Sequence, residues 1–253
     1  MNVETDTTIE TTINKDALSL FSDTSRYPYI PKALSSYIEG CVAKKLNNRL
    51  VNAVQGKKTK VFENVNRMFE LASDATGLTP DELLRRTDFN DSDMSPTRLD
   101  SAFAEIRTIN YLKEQGFVHI NLLQAGKHKK ADILATFKDI EFAIEVVNSI
   151  FSANKRVEPL QLKDWLIGRA SSDEKTEQLE QTSKETSVSH TILIGVVDTF
   201  FSVVFNTHND YCDAAKLAWE ELNREKGFHV AFVTGREALG YGRDDCVFPE
   251  LPG

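Results

Sequence analysis

Apolar residues with helical spacing dominate the first half of the chain. One helix face is predicted by six apolar residues that recur at intervals of four, namely Leu34, Ile38, Val42, Leu46, Leu50 and Val54. This helix ends at Gly56, and a second is predicted over about 59–75. Thr79 and Pro80 have the composition of a further helix start, because Thr caps helices and Pro suits the first position. A polar stretch at 88–93 then separates a helical region, 32–94, from the rest of the chain.

Beyond this boundary the pattern changes to short apolar segments. Ser95 and Pro96 open a helix that stops at Gly116, and strands are predicted at 117–124, 131–137 and 141–147. Lys138 and Asp139 form a tight connection between the last two strands. Helices are predicted at 159–169, 172–185 and about 210–226, with strands at 190–197 and 229–233. The order α-β-β-β-α-β-α-β predicts an α/β domain over 95–253 with a mixed central sheet flanked by helices.

The charge is distributed unevenly along the chain. The net charge of −8 argues against a protein that coats nucleic acid through charge alone. Residues 32–67, however, hold eight basic against two acidic side chains, and the basic residues include Lys44, Lys45, Lys57 and Lys58. This segment predicts either contacts with a nucleic-acid backbone or the solvated face of a dimerising helix pair. Residues 1–31 hold two basic and five acidic side chains without periodicity, which predicts a flexible acidic tail.

Cysteine usage and the absence of targeting signals indicate the compartment. Cys41, Cys212 and Cys246 lie far apart and form no CxxC pair, which favours buried thiols in a reducing environment. The N-terminus has neither the basic nor the apolar segment of a signal peptide. No apolar run is long enough to span a bilayer. We therefore expect a cytoplasmic protein without a membrane partner.

Three acidic residues within apolar segments suggest a metal site. A buried carboxylate is costly unless it is paired, protonated or bound to a cation. Asp132 opens an apolar strand, Glu145 sits inside the next one, and Glu105 lies on the preceding helix between Phe103 and Ile106. If the three carboxylates converge, they form an oxygen-rich site suited to Mg²⁺, with Mn²⁺ as a substitute. Such a metal lowers the pKa of an attacking water.

This arrangement of acids and elements over 96–234 resembles the PD-(D/E)XK nuclease superfamily, which includes restriction endonucleases and junction resolvases. The resemblance implies a restriction-endonuclease-like core with an N-terminal helical region. It also implies that Asp132 and Glu145 bind the metal, that Glu105 is an additional acid, and that the backbone carbonyl of Val146 is a further ligand. A homodimer acting on double-stranded DNA follows from the same resemblance.

The sequence departs from the family motif at its lysine. That lysine is expected two residues after the glutamate, where this chain has Val147 on the same strand face as Glu145. Two substitutes are available. Lys130 lies two residues before Asp132 on one strand face and is the preferred one, whereas Lys175, with Gln178 one turn later, lies on the helix after the strands.

A basic loop precedes Asp132 and consists of Lys127, His128, Lys129 and Lys130. It predicts phosphate contacts beside the metal, or else an exposed hairpin loop. Structural roles are open for the acids as well: Glu105 can pair with Lys113 or Arg107 on its own helix, and Asp132 can cap a strand.

The sequence therefore predicts a Mg²⁺-dependent DNA endonuclease of restriction or defence type. The alternative is a catalytically inactive, nuclease-like module that binds nucleic acid or a protein partner.

Overall fold

A mixed sheet of six strands forms the centre of the computed structural model, which describes residues 15–46, 48–87, 89–123, 130–149, 156–172, 175–197, 206–222, 227–234 and 245–252. The strands are β1 (Val118–Leu122), β2 (Ile133–Phe137), β3 (Ile140–Ser149), β4 (His190–Val197), β5 (Phe228–Val233) and β6 (Cys246–Phe248). The helices within these ranges are α1 (Lys15–Phe21), α2 (Lys32–Ala43), α3 (Arg49–Gln55), α4 (Thr59–Thr76), α5 (Pro80–Arg86), α6 (Pro96–Glu114), α7 (Pro159–Ser172), α8 (Lys175–Thr186) and α9 (His208–Leu222).

The strands lie in the order of the chain, from β1 at one edge to β6 at the other. β2 is antiparallel to both β1 and β3, whereas β3, β4 and β5 are parallel to one another, and β6 is antiparallel to β5. Lys138 and Asp139 connect β2 to β3 with positive φ angles of 47° and 63°, as a tight hairpin turn requires. The prediction of an α/β fold with a mixed sheet flanked by helices is confirmed. β6 was not predicted, because three residues carry too little periodicity to indicate a strand.

β3 shows how the two faces of the sheet differ. Phe142, Ile144 and Val146 belong to a hydrophobic core that also contains residues of α1–α6. Ala143 and Val147 belong to a second core with residues of α7, α8 and α9. By strand alternation Glu145 faces this second side. The sheet is therefore covered by helices on both faces, and Glu145 points toward the layer that contains α8.

The predicted helix over 34–54 is divided into α2 and α3. Lys45 adopts a left-handed conformation with φ of 54°, and the side chain of Asn48 caps α3 by accepting a hydrogen bond from the Val51 amide at 2.8 Å. The four-residue spacing continues across this break, so periodicity alone could not reveal it. The predicted start of α5 is confirmed, because Thr79 and Glu82 form a reciprocal capping box.

The helical region 32–94 packs directly on the α/β region. The rings of Phe69 and Phe103 lie 6.2 Å apart, and the Asn110 amide group donates to the Met68 carbonyl at 3.1 Å. Arg86 donates to the Leu122 carbonyl at 3.0 Å. The two regions thus share one hydrophobic core.

The chain before residue 32 differs from the expected acidic tail, at least from residue 15 onward. α1 and the following turn bury Ala17, Phe21, Tyr27 and Ile30 in the same core as α2–α6. Such a short helix has too few apolar residues to produce a clear period, and the acidic surface residues dominate the composition. Residues 1–14 lie outside the described part of the chain.

The cysteines also differ from the prediction of buried thiols. Cys212 on α9 and Cys246 on β6 form a disulfide with Cα atoms 5.4 Å apart, while Cys41 is a buried free thiol. The pairing arises because β6 lies beside α9, which the 34-residue sequence separation does not indicate. None of the helices in the described ranges is long and apolar enough to cross a membrane.

Candidate active site

The β2–β3 hairpin brings Asp132 next to Glu145. Asp132 precedes β2, whose pairing with β3 begins at Ile133 opposite Ile144. Asp132 lies just before this main-chain pairing, and its carboxylate accepts a hydrogen bond from the Val146 amide at 2.8 Å. The Asp132 carbonyl accepts from the Leu123 amide at 2.8 Å on the other side. Hydrogen bonds to its carboxylate and to its carbonyl therefore fix Asp132 beside Val146, the residue that follows Glu145.

Lys175 on α8 completes a cluster with these two acids. Its Nζ atom lies 2.5 Å from Glu145 Oε1 and 3.4 Å from Asp132 Oδ2. The Glu145 side chain is fully buried, whereas those of Asp132 and Lys175 are 17% and 21% exposed. The cluster is therefore a charged site at the protein interior with an opening on the Asp132 and Lys175 side.

The three groups shift one another's protonation. Burial and the neighbouring charge of Asp132 raise the pKa of Glu145 well above its usual range, although Lys175 acts in the opposite direction. Burial lowers the pKa of Lys175, but the charges of Asp132 and Glu145 outweigh it, so this pKa is raised. Burial is the larger cause of the shift at Glu145, and the charges of the two carboxylates are the cause of the shift at Lys175. The raised pKa values favour the protonated forms of Glu145 and Lys175. The negative charge of the carboxylates also favours the binding of an additional positive charge.

Two buried oxygen atoms on β3 and α8, the elements that carry Glu145 and Lys175, accept no hydrogen bond within the described part of the chain. They are Glu145 Oε2 and the amide oxygen of Gln178, which lies on the turn of α8 that follows Lys175. A buried oxygen without a donor is costly, so such an atom often indicates a bound water or ion. Carboxylate and amide oxygens are ligands that Mg²⁺ accepts.

Glu105 lies on α6 and acts on the cluster electrostatically. Its charge contributes to the raised pKa of Lys175. In the residues that the structure describes, no three or more His, Cys, Asp or Glu side chains are grouped as metal ligands. The acids brought into direct contact with Lys175 are Asp132 and Glu145. The role of the Val146 backbone carbonyl as a metal ligand stays a prediction.

The other predicted lysines lie apart from the cluster or outside the described residues. Lys130 Nζ lies 3.9 Å from Glu185 on α8, and both side chains are nearly half exposed. Lys127, His128 and Lys129 fall in 124–129, outside the described residues. The four predicted lysines that precede and follow α3 in the chain are exposed: Lys44, Lys45, Lys57 and Lys58.

Val147 occupies the position at which the resemblance led us to expect a lysine. Its side chain is buried and packs in the second hydrophobic core. The ammonium group beside Asp132 and Glu145 is supplied by α8 instead.

One contact near the site had no sequence signal. The hydroxyl of Thr182 on α8 accepts a hydrogen bond from the Ala131 amide at 2.7 Å. A threonine on a polar helix is common, and only the packing of α8 on the sheet reveals this partner.

Comparisons with known proteins provide no further assignment: no protein-family model, no curated protein and no solved structure matches this chain.

Proposed function

We propose that this protein is a metal-dependent nuclease that hydrolyses phosphodiester bonds, and specifically a DNA endonuclease of restriction or defence type. The observation that carries the proposal is the contact of the Lys175 ammonium group with both Asp132 and Glu145. Two carboxylates and a lysine are the chemical groups of the PD-(D/E)XK motif. Here the lysine comes from α8 rather than from the third strand.

The order of the elements supports the same proposal. Glu105 lies on α6, Asp132 precedes β2 and Glu145 lies on β3, and these elements are followed by α7, α8 and β4. β2 is antiparallel to its two neighbours and β3 is parallel to β4. The order expected of a restriction-endonuclease-like core is helix, three strands, helix and strand, and here two helices, α7 and α8, stand between the third and fourth strands.

The residues present fit a divalent cation. Asp132 and Glu145 would hold Mg²⁺ or Mn²⁺, and the amide oxygen of Gln178 is available as a further oxygen donor. When bound, such a metal polarises a phosphate oxygen and lowers the pKa of a bound water. The excess of two carboxylates over one ammonium group favours this additional positive charge.

Lys175 has the role that the motif lysine has in the family. A cation fixed beside the two carboxylates stabilises negative charge that develops on the phosphate oxygens during attack by water. Its raised pKa keeps Lys175 in the charged form that this role needs. Compared with the other substitute, Lys130, it has the advantage of direct contact with both acids.

Exposed lysines outside the cluster support a nucleic-acid substrate. Lys44 and Lys45 precede α3 and Lys57 and Lys58 follow it, so two pairs of positive charge bracket a seven-residue helix. Contacts of this kind bind phosphates without reading sequence. Double-stranded DNA as substrate and a homodimer as the active form belong to the same proposal.

Cleavage of supercoiled plasmid with Mg²⁺ or Mn²⁺ tests the assignment. We expect Asp132→Asn, Glu145→Gln and Lys175→Met each to reduce the rate by about 100-fold or more, in the range found when one electrostatic group is removed. Lys184→Met is the matched control, because Lys184 is exposed on the same helix. Wild-type rates in Asp132→Asn and Glu145→Gln would contradict the proposed site.

The alternative is a nuclease-like module that binds without cutting. It is favoured by the burial of Val147 at the motif position and by the grouping of only two acids with Lys175 among the described residues. Absence of plasmid cleavage, together with salt-sensitive DNA binding that is lost on replacing the four exposed lysines at the ends of α3, would establish this alternative.

A further inference from the structure

We infer that Thr182 is a positioning residue that sets Lys175 against Asp132 and Glu145. The inference rests on the proposed function for its catalytic consequence. Its structural part concerns only how α8 is held on the sheet.

Three consecutive residues at the entry of β2 contact α8. Lys130 lies 3.9 Å from Glu185, the Ala131 amide donates to Thr182 Oγ1 at 2.7 Å, and Asp132 lies 3.4 Å from Lys175. The first contact is an exposed ion pair, which contributes little. The Thr182 contact is the buried one, since this side chain is 1% exposed and Ala131 is 2% exposed. It is therefore the one of these three contacts that is shielded from solvent, and it holds this end of α8 against the entry of β2.

Thr182 and Lys175 lie on the same side of α8. They are seven residues apart, which is close to two helical turns, so both side chains face the sheet. Between them Leu179 packs in the second hydrophobic core. A rigid helix transmits the position of Thr182 to the backbone of Lys175, from which the long lysine side chain reaches the acids.

The contacts form a closed circuit. Thr182 holds Ala131, the adjacent Asp132 accepts from the Val146 amide, and Glu145, which precedes Val146, contacts Lys175 on the helix that bears Thr182. A catalytic group must be held to within about 0.5 Å of its working position. Loss of the Thr182 hydroxyl removes the buried hydrogen bond between α8 and the entry of β2, and Lys175 gains freedom.

Thr182→Val tests this directly, because valine keeps the shape and removes the acceptor. Thr182→Ser restores the hydroxyl and is the rescue variant. Thr186→Val is the matched control, because the Thr186 hydroxyl donates within α8, to the Thr182 carbonyl, and has no partner on the sheet among the described residues. The first readout is the ¹⁵N NMR signal of the Lys175 ammonium group in the metal-free protein and its rate of hydrogen exchange with water, identified by its absence in Lys175→Met. This measurement requires no enzymatic activity.

We expect Thr182→Val to accelerate exchange at the Lys175 ammonium group by about 10-fold or more. We expect plasmid cleavage to fall by a factor of about 10 to 100 in kcat, as a displacement of about 1 Å can cause, with KM for DNA unchanged. Thr182→Ser and Thr186→Val should retain wild-type values in both measurements.

Wild-type ammonium exchange in Thr182→Val overturns the inference. If the wild type does not cleave DNA, the proposed function fails, and the exchange measurement still decides whether Thr182 positions Lys175. If Thr182→Val does not fold, Thr182→Cys replaces it, since a thiol is a much weaker acceptor of similar size. Unchanged exchange in Thr182→Cys then overturns the inference, and accelerated exchange supports it.

Discussion

Two buried carboxylates in this molecule, Asp210 and Glu145, each have a basic partner, but their pKa values are shifted in opposite directions. Asp210 at the start of α9 accepts from Arg156, from the Thr207 amide at 2.8 Å and from the Thr207 hydroxyl at 3.1 Å. Hydrogen bonds from Arg156 above all lower its pKa to about 2. Glu145 has Lys175 on one oxygen and no hydrogen-bond donor from the described residues on the other, and its pKa is raised.

The difference separates a satisfied ion pair from a cluster in which one carboxylate oxygen has no donor among the described residues. Asp210 accepts hydrogen bonds from both Arg156 and Thr207, so its charge stabilises the fold. Glu145 is buried beside another acid and is only partly satisfied, so its ionised form costs folding free energy. Strongly perturbed carboxylates of the second kind are concentrated at functional sites.

Removing the ammonium group from the acid pair gives the largest expected effect on stability. We expect Lys175→Met to lower the free energy of unfolding at pH 7.5 by about 3 kcal/mol, because breaking a buried ion pair leaves an uncompensated charge. Urea denaturation followed by circular dichroism measures this, with Lys184→Met as the exposed control on the same helix. A loss no larger than that of the control would mean that Lys175 does not compensate the acids.

The comparison between Asp210 and Glu145 predicts opposite results for two neutralising substitutions. Asp210→Asn should lower the free energy of unfolding by about 2 kcal/mol at pH 7, because it weakens hydrogen bonds to a charged acceptor. Glu145→Gln should leave the protein at least as stable as the wild type, since Lys175 keeps Asp132 as its partner and one costly buried charge is removed.

Thermal and urea unfolding of both variants decide this. Equal destabilisation of Glu145→Gln and Asp210→Asn would contradict the view that one carboxylate stabilises the fold and the other does not.

The two carboxylates should also give stability profiles of opposite sign against pH. The pKa of Asp210 is lowered on folding, so its contribution is present above about pH 4 and is lost as pH falls toward 2. The pKa of Glu145 is raised on folding from its usual value near 4.5, so its ionisation destabilises the fold at higher pH, and that penalty disappears as pH falls toward 4.5.

Urea denaturation between pH 2 and 9 checks these signs. The wild type should exceed Asp210→Asn by a constant margin above pH 4, and the margin should shrink below it. Glu145→Gln should instead be the more stable protein at high pH and converge with the wild type near pH 4.5. Parallel curves in either comparison would show that the carboxylate concerned has no shifted pKa.

How much of this could be predicted from the sequence differs between the strands and the helices around the site. The hairpin that joins β2 to β3 follows from apolar alternation and a two-residue turn, so the closeness of Asp132 and Glu145 is a local consequence of the sequence. The approach of Lys175 is not, because it depends on how α8 packs across the sheet after a connection of more than twenty residues. Lys130, which lies nearer to Asp132 in sequence, contacts Glu185 instead.

The same distinction explains the other differences from expectation. Cys212 and Cys246 meet because a three-residue strand adds to the sheet edge beside α9, and α1 packs through a few apolar residues in an acidic segment. Local pattern predicts elements, whereas contacts between distant elements depend on packing that the pattern does not contain.

The smallest expected effect on stability concerns Gln178, whose amide oxygen is buried and has no donor among the described residues. Replacing an unsatisfied polar group by an apolar one of similar size is nearly neutral, so Gln178→Met should change the free energy of unfolding by less than about 0.5 kcal/mol. If that oxygen contributes to cation binding, Mn²⁺ affinity measured by calorimetry should nevertheless fall several-fold. Gln181→Met on the same helix is the control, because the Gln181 side chain donates to Glu185 at the exposed surface. A stability loss as large as that of Asp210→Asn, without a change in Mn²⁺ affinity, would place Gln178 with the structural contacts instead.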